Sequence, residues 1–440
     1  MSMKELLEKV IRHGLKLGAT EVHAVINESR GFEVTINIDD ISDAIWKSTS
    51  VLEVAVIVDR RIGIANTQEV TEEEALRTVE RALSLAKGNK PNPWWKALPG
   101  PKPHPEVSGT YDSRIAEIAP EEVIEMARVA LDEVKGYDPR VGIWAGVINT
   151  NVIHVYVANS RGVEGEDKAT SFTISLVASA KEAGAIGSFA EEIRASRALD
   201  IEVQEVAREV ARKAVESLGA RSIKSFKGSL IMDYYTARDF FATFVEALRG
   251  DNVWKGRSPL RDKIGEMVAI DNLTIIDDGI MPKGLMTSKF DYEGHPRGRT
   301  PLVEKGILKG YLHNSYTANI MGVESTGNAS SLLSVAPSNI VISQGDYECD
   351  ELISEVKKGL LIKRFSGYMR YEDGIVSGVA KQAFLIENGR IVHPVKECMI
   401  SGNIYEMIKK ISGMTRSRKN ILGIITPTIR VEDVSIVSKA

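Results

Sequence analysis

The chain has 440 residues, enough to bury a sizeable core and more than one ordinary domain holds, so two or three domains are expected. With 43% hydrophobic and 26% charged residues it has the composition of a globular protein and not of a disordered one. Its 56 basic and 60 acidic residues leave a net charge of -4, which gives no electrostatic footprint for nucleic acid.

The opening "MSMKELLEKVIRHGLKLG" has charges at every turn and no apolar run of signal-peptide type, and no stretch approaches the roughly 18 apolar residues of a membrane span. A cytoplasmic protein without membrane or nucleic-acid partners is expected. Leu6, Val10, Leu15 and Leu17 set a first helix over residues 3 to 18. Strand-like runs follow in "EVHAVIN", "FEVTINI" and "VLEVAVIV", then a helix in "TEEEALRTVERALSLAKG" with Thr71 as N-cap, Glu74 at the capping-box position and Gly88 as its stop. "KPNPWWKALPGPKPHP" holds six of the fifteen prolines, which cannot donate to a helix or a sheet ladder, so an ordered or extended boundary segment is predicted.

The same grammar then repeats. A helix in "PEEVIEMARVALDEVKG", with Pro120 suited to its first turn, precedes the strands "VGIWAGVI" and "NVIHVYVAN". "NESRGFEV" and "ANSRGVEG" both place Ser-Arg-Gly between strands, as turns of a duplicated helix-plus-sheet unit. "DIEVQEVAREVARKAVESLGA" reads as a packing helix ending near Gly219. From about residue 225 strands dominate, with Asn388-Gly389 in "LIENGRIVH" a hairpin signal and "LVEKGILKGYLHN" a sister segment. The expected fold class is α+β: an N-terminal unit with its Pro-rich linker over residues 1–106, a second related unit over 107–223, and a β-rich domain over 224–440.

Chemistry-bearing patterns are sparse. His13, His23, His104, His154, His295, His313 and His393 have no two members within five residues, whereas zinc peptidase signatures need two imidazoles on one helix face beside a carboxylate. In "DYEGH", Asp291, Glu293 and His295 alternate and would share one side of an extended segment, an arrangement more common at a solvated strand edge than at a metal site. Ser84 and Lys87 match a Ser-x-x-Lys spacing without its companion motifs, there is no Walker loop, and Cys349 and Cys398 are read as small, mostly buried side chains. The helix "DFFATFVEALRGD" offers only Glu246 beside its buried stripe. Residues 290 to 329 gather Arg299, Thr300, Tyr311, His313, Asn314, Tyr316, Thr326 and Asn328 around two turns, a polar set of the kind that lines a groove for a peptide or a partner.

This stretch resembles the TldD/PmbA family, whose diagnostic segments stand here as "DYEGHP", "GRTPLVEKGILKGYL" and "STGNA", supported by "GRSPLRDKIGE", "LTIIDDG" and "LIENGRIVHPVKECMISGN". The family also carries the older label of modulator of DNA gyrase. Its TldD-like members have a zinc motif, His-Glu-x-x-x-His, on a helix ending in a Leu-Glu-Gly-Asp-like segment, and a cysteine near the C-terminus. Placing "LRGD" on that end puts Phe241, Ala242 and Glu246 at the three motif positions, and "MTRSRKNILGIITPTIRVEDVSIVSKA" contains no cysteine. The resemblance therefore implies the TldE (PmbA) branch. Members of that branch have no metal or catalytic residue of their own, and they form a heterodimer with a TldD-like subunit that holds zinc and cleaves unfolded or small peptides. An independent module, either a peptide-binding homodimer or a peptidase with an unrecognised site, is the alternative.

Overall fold

The computed structural model describes residues 1–438. Its first helix, α1 (Met3–Lys16), opens in a capping box in which Ser2 Oγ accepts from Glu5 N while the Glu5 carboxylate accepts from Ser2 N. The strands β1 (Glu21–Asn37), β2 (Asp40–Val58) and β3 (Arg61–Thr67) follow as an antiparallel meander, and α2 (Glu72–Gly88) closes the unit. Thr71 Oγ1 accepts from Glu74 N as predicted, but the Glu74 carboxylate pairs with Arg77 and Arg81 instead of returning to the cap.

After the short α3 (Ser113–Glu117) the second unit uses the same order. It runs through α4 (Pro120–Tyr137), the hairpin of β4 (Val141–Asn159) and β5 (Glu164–Glu182), the short β6 (Ala185–Ile186), β7 (Ala190–Ser196) and α5 (Val203–Glu216). β1 and β4 pair antiparallel, so both units build one sheet in the order β3-β2-β1-β4-β5, with β6 and β7 on the far edge of β5. Each pair of helices covers its own part of that sheet. Leu6, Val10, Val79 and Ala82 pack on Ile26 and Val54, and Val123, Ala127, Val206 and Val210 pack on Ile36, Ile148 and Ile174.

One expected turn is corrected. Ser29-Arg30-Gly31 lies inside β1, which runs unbroken through both "EVHAVIN" and "FEVTINI". A Cβ on Gly31 would stand 1.9 Å from Thr150 O, so β4's close approach is what excludes a side chain there. The counterpart Ser160-Arg161-Gly162 is a turn, with Gly162 at φ 91°.

The β-rich part begins with β8 (Phe226–Met232), α6 (Tyr234–Glu246) and α7 (Gly250–Trp254). It continues through β9 (Ile275–Asp278), the hairpin β10 (Arg299–Glu304) and β11 (Ile307–Leu308), α8 (Ser315–Met321), the ribbon β12 (Ala329–Ser331) and β13 (Ser334–Val335), β14 (Asn339–Ile342) and α9 (Cys349–Ser354). The last strands are β15 (Lys358–Met369), β16 (Ile375–Glu387), β17 (Arg390–Val395), β18 (Cys398–Asn403), β19 (Ile411–Ile421) and β20 (Ile424–Val437). β8, β15, β16, β18 and β20 close into a ring because β20 pairs back onto β8, while β14, β9, β10 and β11 extend the sheet from β20. Both hairpin signals hold. Asn388 and Gly389 have φ 49° and 76°, as do Lys305 and Gly306, the left-handed pair that a two-residue hairpin of matching twist requires.

The Pro-rich segment is an ordered strap between the N-terminal sheet and the β-rich part. Trp95 Nε1 and Leu98 N donate to the two Glu21 carboxylate oxygens at 3.0 and 2.9 Å, while Asn92 Nδ2 meets Tyr316 Oη and His104 Nε2 meets Gly294 O. Among the described residues no helix is long and apolar enough to cross a membrane.

Candidate functional site

α6 begins at Asp233, whose Oδ1 accepts from Tyr235 N and Thr236 N at 3.1 and 3.2 Å. The stripe read from the sequence is buried. Phe240, Phe241, Phe244 and Leu248 have no solvent exposure, and the rings of Phe240 and Phe241 meet edge to face at 5.5 Å. Of the three residues that the resemblance sets against the zinc motif, Phe241 is thus spent on the core and Ala242 packs partly buried against the same cluster. Glu246 is ion-paired with Arg249 at 2.8 Å. Among the described residues no group of three His, Cys, Asp or Glu side chains converges as a metal site. Cys398 sits in the core, where burial pushes its thiol up to about 11. An aromatic ring, a methyl group and one engaged carboxylate do not fit a zinc ion.

The 290–329 stretch folds into a knot of internal hydrogen bonds. Asn314 caps α8, its Oδ1 accepting from Thr317 N at 2.9 Å while its Nδ2 donates to Leu332 O at 3.1 Å. The His313 ring meets Thr317 Oγ1, and burial lowers its pKa to about 4, so the ring is neutral. Thr326 Oγ1 bonds Asn328, whose Nδ2 donates to the buried Asp277 carboxylate at 3.0 Å. Tyr311 Oη donates to Leu260 O, and Tyr316 reaches Asn92 on the strap.

Tyr311, His313, Asn314, Tyr316 and Asn328 are therefore buried, Thr300 and Thr326 half-buried, and only Arg299 is exposed, 3.8 Å from Asp278. This corrects the expectation of a polar groove rim. The polar groups are consumed in holding the loops together, as buried polar groups must be.

"DYEGH" is likewise a turn and not an extended edge, with Gly294 at φ 75°. Asp291 accepts from the amides of Glu293, His295 and Ala329, whereas Glu293 accepts from Ser315 N at the start of α8. The three side chains serve different partners. His295 Nδ1 faces Pro296 O, and Lys102 Nζ reaches its Nε2 at 3.3 Å. Burial raises both carboxyl pKa values, and that of Glu293 is raised further by Asp291. Tyr292, between them, packs on the fully buried His23 at 5.0 Å and bonds Glu53, tying the motif to the N-terminal sheet.

Sequence reasoning missed a cavity of about 600 Å³ bounded by α5, the start of α6, α9 and the strands β15, β16, β17, β19 and β20. Lys213, Asp233, Lys363 and Lys419, which line it, are spread over some two hundred residues and four elements, so no linear spacing signals them.

The family model described as "PmbA/TldA metallopeptidase C-terminal domain" matches residues 226–438, and the central-domain model of the same family matches residues 113–218. An uncharacterised protein of Methanocaldococcus jannaschii is 30% identical over 92% of this chain and 93% of its own length. The metalloprotease PmbA of Escherichia coli O157:H7 is 25% identical over 98% of this chain and 97% of its own. Among solved structures, TldE from Thermococcus kodakarensis superposes with a TM-score of 0.91 at 25% identity, covering 98% of this chain and 100% of that one. A Thermotoga maritima protein described as a candidate modulator of a DNA gyrase superposes with a TM-score of 0.90 at 27% identity, covering 99% and 100%.

Proposed function

This chain belongs to the TldD/PmbA metallopeptidase family, and we propose that it serves there as a non-catalytic subunit of the TldE (PmbA) kind. In this reading it pairs with a TldD-like chain whose helix carries His-Glu-x-x-x-His and the zinc, and the pair cleaves unfolded or small peptides. The observation that carries the proposal is α6, where, of the three residues the resemblance sets against the motif, Phe241 is fully buried, Ala242 has no ligating atom and Glu246 is ion-paired with Arg249. Similarity in fold to a protein named TldE supports the same branch. The cytoplasm is the proposed compartment, in keeping with two unbonded cysteines.

No step of peptide hydrolysis is assigned to this chain. A catalytic zinc lowers the pKa of its bound water and needs about three protein ligands with one open position, and α6 offers none of that set. The test is to purify the chain alone and together with a TldD-like chain, and to follow assembly by size-exclusion chromatography beside peptide cleavage. A heterodimer that cleaves, with no cleavage by the isolated chain, is the expected result. A stable homodimer that cleaves peptides without a partner would establish the alternative, a peptidase with its own site.

A further inference from the structure

The cavity beside α5 and α6 has no residue of the 290–329 stretch in its wall. Among its charged lining residues Ile353, Leu361 and Phe384 form an apolar patch, while Ile391 and Val392 stand 47% and 51% exposed at its rim on β17. Exposed aliphatic side chains beside a hollow of this size mark a place for a ligand.

Four cations line it, and three are neutralised. Arg212 pairs with Glu209 at 2.7 Å, Lys213 with the buried Glu192 at 2.6 Å, and Lys363 with Glu216 at 2.6 Å. Lys419 on β19 is different. Among the described residues its ammonium has no carboxylate or hydrogen-bond acceptor in reach, and it lies over the Tyr234 ring, 5.1 Å from the centroid. Burial lowers its pKa, helped by Arg194 and Lys213, and the attraction of Glu192 and Glu209, neither of them hydrogen-bonded to it, does not make up the loss. Two carboxyls of the cavity remain unpaired. Asp233 is turned into the wall to cap α6, and Asp350 lies at the exposed mouth, where solvent screens it.

We propose that this cavity takes the C-terminal end of a peptide whose last residue is apolar, the terminal carboxylate meeting Lys419 and the last side chain entering the wall at Phe384, Leu361 and Ile391. The proposal rests on the peptide-handling role given above. A monoanion matches the one lysine of the wall that has no ion pair. A phosphate would bring a second charge with no partner, because the other three cations are already paired. A peptide amino terminus would set ammonium against ammonium. The carboxylate supplies the hydrogen-bonded counter-charge that Lys419 lacks, and the apolar side chain removes the exposed faces of Ile391 and Val392 from water.

The experiment is calorimetric titration of the full-length chain with N-acetyl-glycyl-leucine and with its carboxamide, repeated on Lys419→Gln. The free acid should bind at least about tenfold more tightly than the amide, and Lys419→Gln should erase that preference. Equal affinity for acid and amide, an unchanged acid preference in Lys419→Gln, or no binding of the acid by the wild type would each overturn the proposal. The comparison of the two probes on the wild type stands even where the variant folds poorly. Because no partner enters the titration, a chain that binds the acid but assembles with no TldD-like subunit overturns only the subunit role. A chain that assembles and shows no acid preference overturns only this site.

Discussion

Replacing Asn314 by Ala tests whether the 290–329 stretch is an internal knot. The side chain is fully buried, caps α8 through Oδ1 and Thr317 N, and donates from Nδ2 to Leu332 O at 3.1 Å and Ser331 O at 3.3 Å. Losing the cap costs about 1 kcal/mol. Leaving Thr317 N and the two carbonyls short of partners inside the protein adds about 1–3 kcal/mol. The sum, about 2–4 kcal/mol, lowers the melting temperature of a unit of this size by roughly 5–15 °C. Arg299→Ala is the matched control. It removes an exposed side chain 3.8 Å from Asp278, and exposed pairs of this kind contribute about 0–1 kcal/mol. Thermal melts of both variants followed by circular dichroism decide the matter. An Asn314→Ala shift below about 2 °C, or equal shifts for the two variants, would refute the reasoning and return these residues to an open groove.

Lys213→Met leaves the buried Glu192 with Arg194 as its remaining ion-pair partner and should cost about 3 kcal/mol, while Lys213→Met with Glu192→Leu should recover much of the loss. Urea midpoints that fail to rise in the double variant would contradict this. Burial raises the Asp233 pKa to about 7 from an ordinary value of about 3.9, so the folded protein holds that proton more tightly than the unfolded chain. Its contribution to stability is therefore present below about pH 4 and lost as pH rises towards about 7. Asp233→Asn keeps the cap and removes that loss, so the wild type should weaken relative to the variant between about pH 4 and 7. Parallel melting curves across that range would sink the assignment. Phe241→His with Ala242→Glu and Glu246→His should lower stability, because Phe241 is fully buried, and should give no zinc-dependent peptide cleavage for want of a further ligand and a supporting shell. Cleavage by the triple variant would show that α6 is nearer to a metal site than its packing indicates.

Local signals were legible wherever a backbone conformation or a periodic stripe leaves its mark on neighbouring residues. Asn388-Gly389 and Lys305-Gly306 announce their hairpins because few residue pairs tolerate two left-handed conformations in succession. The buried face of α6 follows from the spacing of Phe240, Phe244 and Leu248. Ser29-Arg30-Gly31 misled because a glycine needed for a turn and one needed for a close approach look the same in one dimension, and only the position of Thr150 O tells them apart. The polar residues of 290–329 misled for a related reason. A loop closed by its own hydrogen bonds and a rim open to a ligand have the same composition, and they differ in which carbonyls Asn314 and Asn328 reach. Lys419 gave no sign at all, since its want of an ion pair depends on Glu192 and Glu209 being bonded to Lys213 and Arg212.

The most direct test of the central claim removes catalysis from the other side. A complex of this chain with a TldD-like chain is prepared in two forms, one with the partner's His-Glu-x-x-x-His intact and one with the Glu of that motif changed to Gln. Peptide cleavage is measured with and without a chelator. The account predicts chelator-sensitive cleavage by the first complex and none by the second, with this chain intact in both. Cleavage that survives in the second complex would place catalytic groups in this chain and contradict the account.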